Sequence, residues 1–162
     1  MGSDTDLPVM SESAKTLDKF GISYEMEIVS AHRSPERTHE YARTARARGL
    51  KAIIVGAGGA AHLAGVVAAA TTLPVIAVPM ATTVLNGVDS LFSIVQMPAG
   101  IPVATMAIDK PGAINAAILA AEIIATFDPE MQTRMESHKG DLARSVTEKN
   151  ERLKNHLSGI KK

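Results

Sequence analysis

The chain has 162 residues, with 17 Lys plus Arg set against 17 Asp plus Glu and a formal net charge of zero. That length suits one domain with a real core, and the balanced charge leaves no electrostatic footprint for nucleic acid or an anionic membrane surface. Cysteine is absent, which excludes disulfides and thiolate metal sites and fits a reducing cytoplasm. No stretch reads as a signal peptide, and no apolar run approaches the ~18 residues that a membrane span needs.

Met1-Gly2-Ser3-Asp4-Thr5-Asp6-Leu7-Pro8 carries loop and helix-start chemistry, with Pro8 suited to a first turn. A helix is predicted over Leu7 to Phe20, ended by Gly21. Ser23 to Val29 reads as a strand, and Pro35 to Arg48 as a helix with Ser34 as N-cap and Gly49 as its stop. Lys51 to Val55 is a buried-looking strand that runs into Gly56-Ala57-Gly58-Gly59, and Ala60 to Ala70 a helix. Leu73 to Val78 is the next strand, followed by a loop through Met80 to Val88 and a short helix over Asp89 to Gln96. Pro102 to Ile108 gives a further strand, and Ala113 to Thr126 a helix apolar all round. Strand and helix alternating at short intervals predict a parallel sheet covered on both faces.

From Asp128 the composition turns polar, yet Met131, Met135, His138, Leu142, Val146, Leu153 and Leu157 fall on one stripe. That spacing predicts a long amphipathic helix over 128–157, packed on the body or on a neighbouring subunit. The expectation is one domain over 1–162, with a catalytic α/β body over 1–127 and this helix after it.

Chemistry concentrates in Ile28-Val29-Ser30-Ala31-His32-Arg33-Ser34-Pro35. A His and an Arg are presented between the carboxyl end of a strand and the start of a helix, where open α/β sheets bind ligands. The Arg offers a planar fork for phosphate or carboxylate. The His gives and takes a proton near neutral pH. Gly2 to Asp6 holds more hydroxyls and carboxylates than a cap needs, which favours ribose or phosphate contacts from Ser3 and Asp6. Gly56-Ala-Gly-Gly-Ala-Ala-His62-Leu63 is either a backbone wall that a ligand approaches closely or a tight turn in a crowded sheet. His62 there either touches substrate or bonds backbone. It is not the dinucleotide fingerprint, because the glycine positions do not fit and no suitable acidic residue follows. Asp89 is a plausible helix cap, and residues around it read as core or interface. No cluster has metal-ligand spacing, and no nucleophile elbow supports a Ser-His-Asp triad.

Five motifs in order, Met1 to Pro8, Ser30 to Pro35, Gly56 to Leu63, Asp89-Ser-Leu-Phe-Ser-Ile-Val-Gln-Met-Pro98 and Pro102-Val-Ala-Thr105, closely resemble the class I N5-carboxyaminoimidazole ribonucleotide mutases of bacterial purine synthesis. The resemblance runs from Met1 to about Phe127. It implies a flavodoxin-like three-layer αβα sandwich with a parallel sheet, a cytoplasmic homo-octamer, and no metal or organic cofactor. It implies an isomerase acting on a small-molecule nucleotide: the carbamate loses CO2 inside the site, and ring carbon C4 attacks the trapped CO2. His32 matches the general acid/base, Ser3, Asp6 and Arg33 the substrate-binding positions with Ser30 beside them, and Gly58, Ala60, His62 and Leu63 the wall near the CO2.

Thr5 stands where that family usually has serine, Ala64 where it has proline and Ala77 where it has glycine, and Asp109-Lys110-Pro111 replaces a glycine-containing turn. The family also places an apolar first strand before Met-Gly-Ser, so the expectation is that the natural product begins upstream of Met1. Alternatives from sequence are a direct aminoimidazole ribonucleotide carboxylase using CO2, an inactive nucleotide-binding subunit, and a phosphosugar isomerase on the same fold. The last would need a second acid/base opposite His32, and the sequence shows none.

Overall fold

A computed structural model describes residues 1–160, and divides into two compact units, Met1–Ile123 and a second from Ile124 onward. In the first unit a short 3-10 turn over Asp4–Asp6 leads into α1, Leu7–Phe20. α1 ends as predicted: Gly21 takes the left-handed conformation at φ 69°, its N–H donates to Asp18 O at 2.9 Å, and Ile22 N–H donates to Leu17 O at 3.0 Å. That paired arrangement satisfies carbonyls the helix would otherwise leave open.

The remaining elements of this unit are α2 (Pro35–Ala45), β1 (Ile53–Gly58), α3 (Leu63–Ala70), β2 (Val75–Met80), α4 (Val88–Val95), β3 (Ala104–Thr105) and α5 (Asp109–Ala125). The three strands are parallel in the order β1-β2-β3, with β1 and β2 paired from Ile53↔Val75 through Gly58↔Met80. β3 pairs only with Ile76 and Ala77. Period-two alternation sends β1 and β2 side chains to opposite faces. Ile53, Val55, Ala57, Val75 and Ala77 join a cluster with Ala42, Ala45, Leu63, Ala64 and Val67 of α2 and α3. Ile76, Val78 and Met80 join Met10 and Leu17 of α1 and Ala113, Ala116, Ala117 and Ala120 of α5 on the other face. A parallel sheet buried between two helix layers is the flavodoxin-like three-layer sandwich that the motif order implies.

Small residues set the spacing of these layers. A Cβ at Gly56 would lie 2.5 Å from Met80 Cε and 2.6 Å from Met10 Sδ, so the bare backbone makes room for two methionines. A Cβ at Gly112 would run into the Ala107 carbonyl, which lets α5 start hard against the preceding loop. Ala64 and Ala77, two of the departures from the family pattern, are fully buried in one core cluster. One replaces a larger residue and the other a smaller one, a volume-conserving exchange of the kind cores tolerate.

Three expectations need correction. Residues 23–29 are extended but are not a strand. Val29 N–H donates to Met1 O at 2.9 Å, the Met1 ammonium donates to Glu27 O at 2.9 Å, and Gly2 N–H donates to Gly56 O at 3.2 Å. Only Met1 and Gly2 therefore link this segment to β1 among the described residues, too short a pairing to make a ladder. Tyr24, Met26 and Ile28 are exposed as a result. The segment is tied to α2 and the turn after it by side chains instead, Glu27 to Arg37 and Glu25 to Arg48, each at 2.8 Å.

The second correction concerns caps. Ser34 holds the N-cap position of α2, but its hydroxyl accepts from Ser30 N–H at 3.2 Å rather than from a helix amide. Gly87, at φ 84°, and not Asp89, stands at the N-cap of α4. The third concerns bounds: α2 stops at Ala45, and the predicted strand over Pro102 to Ile108 pairs only at Ala104–Thr105.

In the second unit α6 runs over Pro129–Ile160, and Asp128 caps it by accepting from Glu130 N–H at 2.9 Å and Met131 N–H at 3.1 Å. Gly140 does not interrupt it. Met131 and Met135 are buried, whereas Leu142, Val146, Leu153 and Leu157 are exposed. Among the described residues no helix is long and apolar enough to cross a membrane.

Candidate active site

A cleft of about 190 Å³ opens at the carboxyl ends of β1 and β2. The nine residues nominated from sequence, Ser3, Asp6, Ser30, His32, Arg33, Gly58, Ala60, His62 and Leu63, all line it. They come from three separated stretches, brought together because β1 lies beside the Met1–Gly2 backbone and the turn at 30–33 lies beyond that.

Ser3 and Asp6 form a reciprocal cap on the 3-10 turn: Thr5 N–H donates to Ser3 Oγ at 3.3 Å, and Ser3 N–H donates to Asp6 Oδ2 at 3.1 Å. Thr5 Oγ1 donates to Ser3 Oγ at 3.0 Å, so the two hydroxyls line the cleft as a connected pair. Asp6 is buried, and that burial raises its carboxyl above the usual range, while hydrogen bonds from the Ser3 and Gly2 backbone and the positive N-terminus pull the other way. Its Oδ2 is thus already engaged. The sequence reading gave Asp6 to sugar hydroxyls; the geometry gives one of its oxygens to the cap.

Arg33 is held loosely. Its Nε lies 3.5 Å from Ser30 Oγ, and its Nη2 donates to Gly2 O at 3.4 Å. Its backbone N–H donates to Ser30 Oγ at 3.2 Å, which fixes the turn and leaves the guanidinium fork able to trade long contacts for a bidentate anion.

His32 and His62 meet edge to face, with Nε2 of the first 2.9 Å from Nδ1 of the second and ring centroids 5.0 Å apart. One ring nitrogen must donate and the other accept, so a proton sits on the line between them. Both rings are exposed to the cleft. A base entering the cleft can take the place of either ring as partner for that proton. The ring that His32 meets, which the 30-residue separation does not announce, is therefore His62.

Sequence reasoning missed Thr82. It lines the cleft from beyond β2, and a Cβ on Gly58 would lie 2.8 Å from its Cγ2. A lone Thr in a loop carries no motif; the available signal was the glycine at 58, which needs something packed against its bare Cα. Among the described residues, no three His, Cys, Asp or Glu side chains are grouped to hold a metal ion.

The fold and cleft define a class: an α/β protein with a small-molecule site at the carboxyl end of its parallel sheet, furnished with a cation, hydroxyls and a titratable histidine pair. The AIR carboxylase family model matches residues 1–145, and the chain belongs to that family. It is 60% identical over 144 residues to the N5-carboxyaminoimidazole ribonucleotide mutase of Pyrococcus abyssi, covering 89% of this chain and 82% of that protein. It is 58% identical over 153 residues to the mutase of the same name from Thermotoga maritima, covering 94% and 88%. The crystal structure of Treponema denticola PurE superposes with a TM-score of 0.81 at 30% identity, over 91% of each chain.

Proposed function

We propose that this protein is an N5-carboxyaminoimidazole ribonucleotide mutase of purine synthesis, an isomerase that moves a carboxyl group from the exocyclic nitrogen to ring carbon C4. The observation that carries the reading is the convergence of the nine nominated residues on one cleft, with His32 over it and Arg33 at its side. Arg33 and the Ser3 hydroxyl grip the phosphate, Asp6 and Ser30 bound the ribose end, and Gly58, Ala60, His62 and Leu63 wall the reacting end. His32 protonates the carbamate nitrogen as its bond to carbon breaks. The released CO2 stays in the cleft, C4 attacks it, and His32 takes the C4 proton back. The cycle is proton-neutral, so one imidazole suffices.

The magnitudes fit those roles. A positioned acid/base is worth ~10²–10⁴ in rate. CO2 held against C4 reacts at the high effective concentration of an intramolecular partner. An apolar, backbone-rich wall suits a molecule with no net charge for a cation to grip. Working as a cytoplasmic homo-octamer is part of the same proposal, and the exposed Leu85, Val88, Phe92 and Val95 supply apolar surface for contacts between copies.

Feeding each substrate separately tests the reaction. The proposal expects conversion of the carbamate to 4-carboxyaminoimidazole ribonucleotide without added bicarbonate. Product formed only from aminoimidazole ribonucleotide plus CO2 would make the protein a direct carboxylase, and no product from either would make it a binding subunit.

A further inference from the structure

Thr82 is the one lining residue of the cleft that follows β2, among the described residues. Both of its neighbours are tied down. Ala81 N–H donates to Asp109 Oδ1 at 2.9 Å. Thr83 Oγ1 donates to Asp89 Oδ2 at 2.8 Å and accepts from Leu85 N–H at 3.1 Å. Asp109 takes a left-handed φ of 58°, a conformation few non-glycine residues adopt, at the position from which it holds Ala81. The hydroxyl of Thr82 itself has no hydrogen-bond partner among the described residues.

Its side chain, though exposed, lies against β1. A Cβ built on Gly58 would lie 2.8 Å from Thr82 Cγ2 and 3.0 Å from Thr82 Cβ, and closer still to Oγ1. Thr82 thus lies directly over the bare backbone of Gly58, in the wall that also holds His62. An exposed hydroxyl whose flanking residues are anchored, and which stands over Gly58 in the lining of the cleft, is within reach of something that enters it.

We propose that Thr82 contacts the migrating carboxyl group and governs whether it is retained. This rests on the mutase reading above. In the first half-reaction the carbamate N–C bond breaks, its electron pair stays on nitrogen, and nitrogen takes the His32 proton. In the second, the C4 electron pair forms the C–C bond, negative charge develops on the former CO2 oxygens, and the C4 proton passes to His32. Thr82 donates a hydrogen bond to one of those oxygens without giving up its proton. The donor gains strength as charge develops there, so it favours recapture of CO2 over its escape.

The test compares Thr82→Val, which keeps the branched shape, with Thr82→Ser, which keeps the hydroxyl. Each is fed the carbamate without bicarbonate, and 4-carboxy product and released aminoimidazole ribonucleotide are both counted after subtracting the enzyme-free rate. The expected result for Thr82→Val is a roughly tenfold fall in kcat and a roughly tenfold rise in aminoimidazole ribonucleotide released per product, the scale of one lost hydrogen bond to a charging oxygen. Thr82→Ser recovers most of both losses. Val and Ser variants equally impaired would assign the residue to packing on Gly58. A Val variant with wild-type kcat and partition, or one altered only in KM, would also overturn the proposal. If the Val variant does not fold, Thr82→Ala against Thr82→Ser decides by the same ratio. Wild-type protein that makes no product from the carbamate would sink the mutase reading itself, a result distinct from any of these.

Discussion

His62 follows β1, whose six residues pair in register with β2 and bury on both faces. His32 follows residues 23–29, an extended segment with Met1 as its backbone partner and two arginines as its side-chain partners. The two rings nevertheless meet at 2.9 Å. One is positioned by a buried ladder, the other by a five-residue turn in which Ser30 and Ser34 bond each other and Arg33. Precision at a site therefore does not require that both of its walls be equally stable; it requires that each ring be locally fixed where the walls converge.

The largest way to break the comparison is chemical. His32→Asn should lower kcat by ~10²–10⁴ while nucleotide affinity, measured by calorimetry, stays close to wild type. Equal losses in binding and rate would make His32 a structural residue. The next separates the two walls by stability. Ile76→Ala removes a fully buried side chain from the laddered wall and should cost ~2–5 kcal/mol in denaturant melts. Losing Glu27→Gln from the pair with Arg37 should cost at most ~1 kcal/mol, because both partners are largely solvated. A Glu27 variant as damaging as Ile76→Ala would mean that the ion pairs, not the turn, hold the His32 arm.

A smaller effect appears at the pH extremes. Burial, then a hydrogen bond with Glu25, pushes the Tyr41 phenol up to about 12 from 10.0, and Arg48 lies over its ring at 4.7 Å. The folded chain holds that proton more tightly than the unfolded one, so this contribution is full below pH 10.0 and is lost as pH rises through about 12. Glu25 runs the other way. Its hydrogen bond with Arg48 lowers the carboxyl from 4.5, so its contribution is present above that pH and fades on acidification below it. Tyr41→Phe should flatten the alkaline decline of the melting midpoint and leave the acid side little changed; an unchanged alkaline slope would remove Tyr41 from the account.

Much of the fold was legible because glycine and proline punctuate it. Gly21 ends α1, Pro35 opens α2, and the alternation of elements dictates a parallel sheet. Strand bounds slid by two or three residues, from Lys51–Val55 to Ile53–Gly58 and from Leu73–Val78 to Val75–Met80, because Gly56 and Pro79 read locally as breakers. Gly56 belongs in the strand since Met10 and Met80 fill the space a side chain would take, and Pro79 lies beyond the two residues that β3 pairs. The 23–29 segment failed for a different reason. Tyr24, Met26 and Ile28 alternating with Glu25 and Glu27 give a strand pattern, but a strand also needs a neighbour, and that is not a local property. Likewise, Asp89 has cap chemistry, yet Thr83 claims its Oδ2. At the site, the motifs located all nine residues, while the His32–His62 contact and Thr82 depend on how distant loops meet.

The central claim is that the His32 ring reaches the heterocycle and carries its proton. A crystal structure with 4-carboxyaminoimidazole ribonucleotide bound tests it directly. The account predicts a His32 ring nitrogen within ~2.6–3.2 Å of ring C4 or of its exocyclic amine, or one water away. A bound nucleotide with His32 turned aside and some other group at C4 would contradict it.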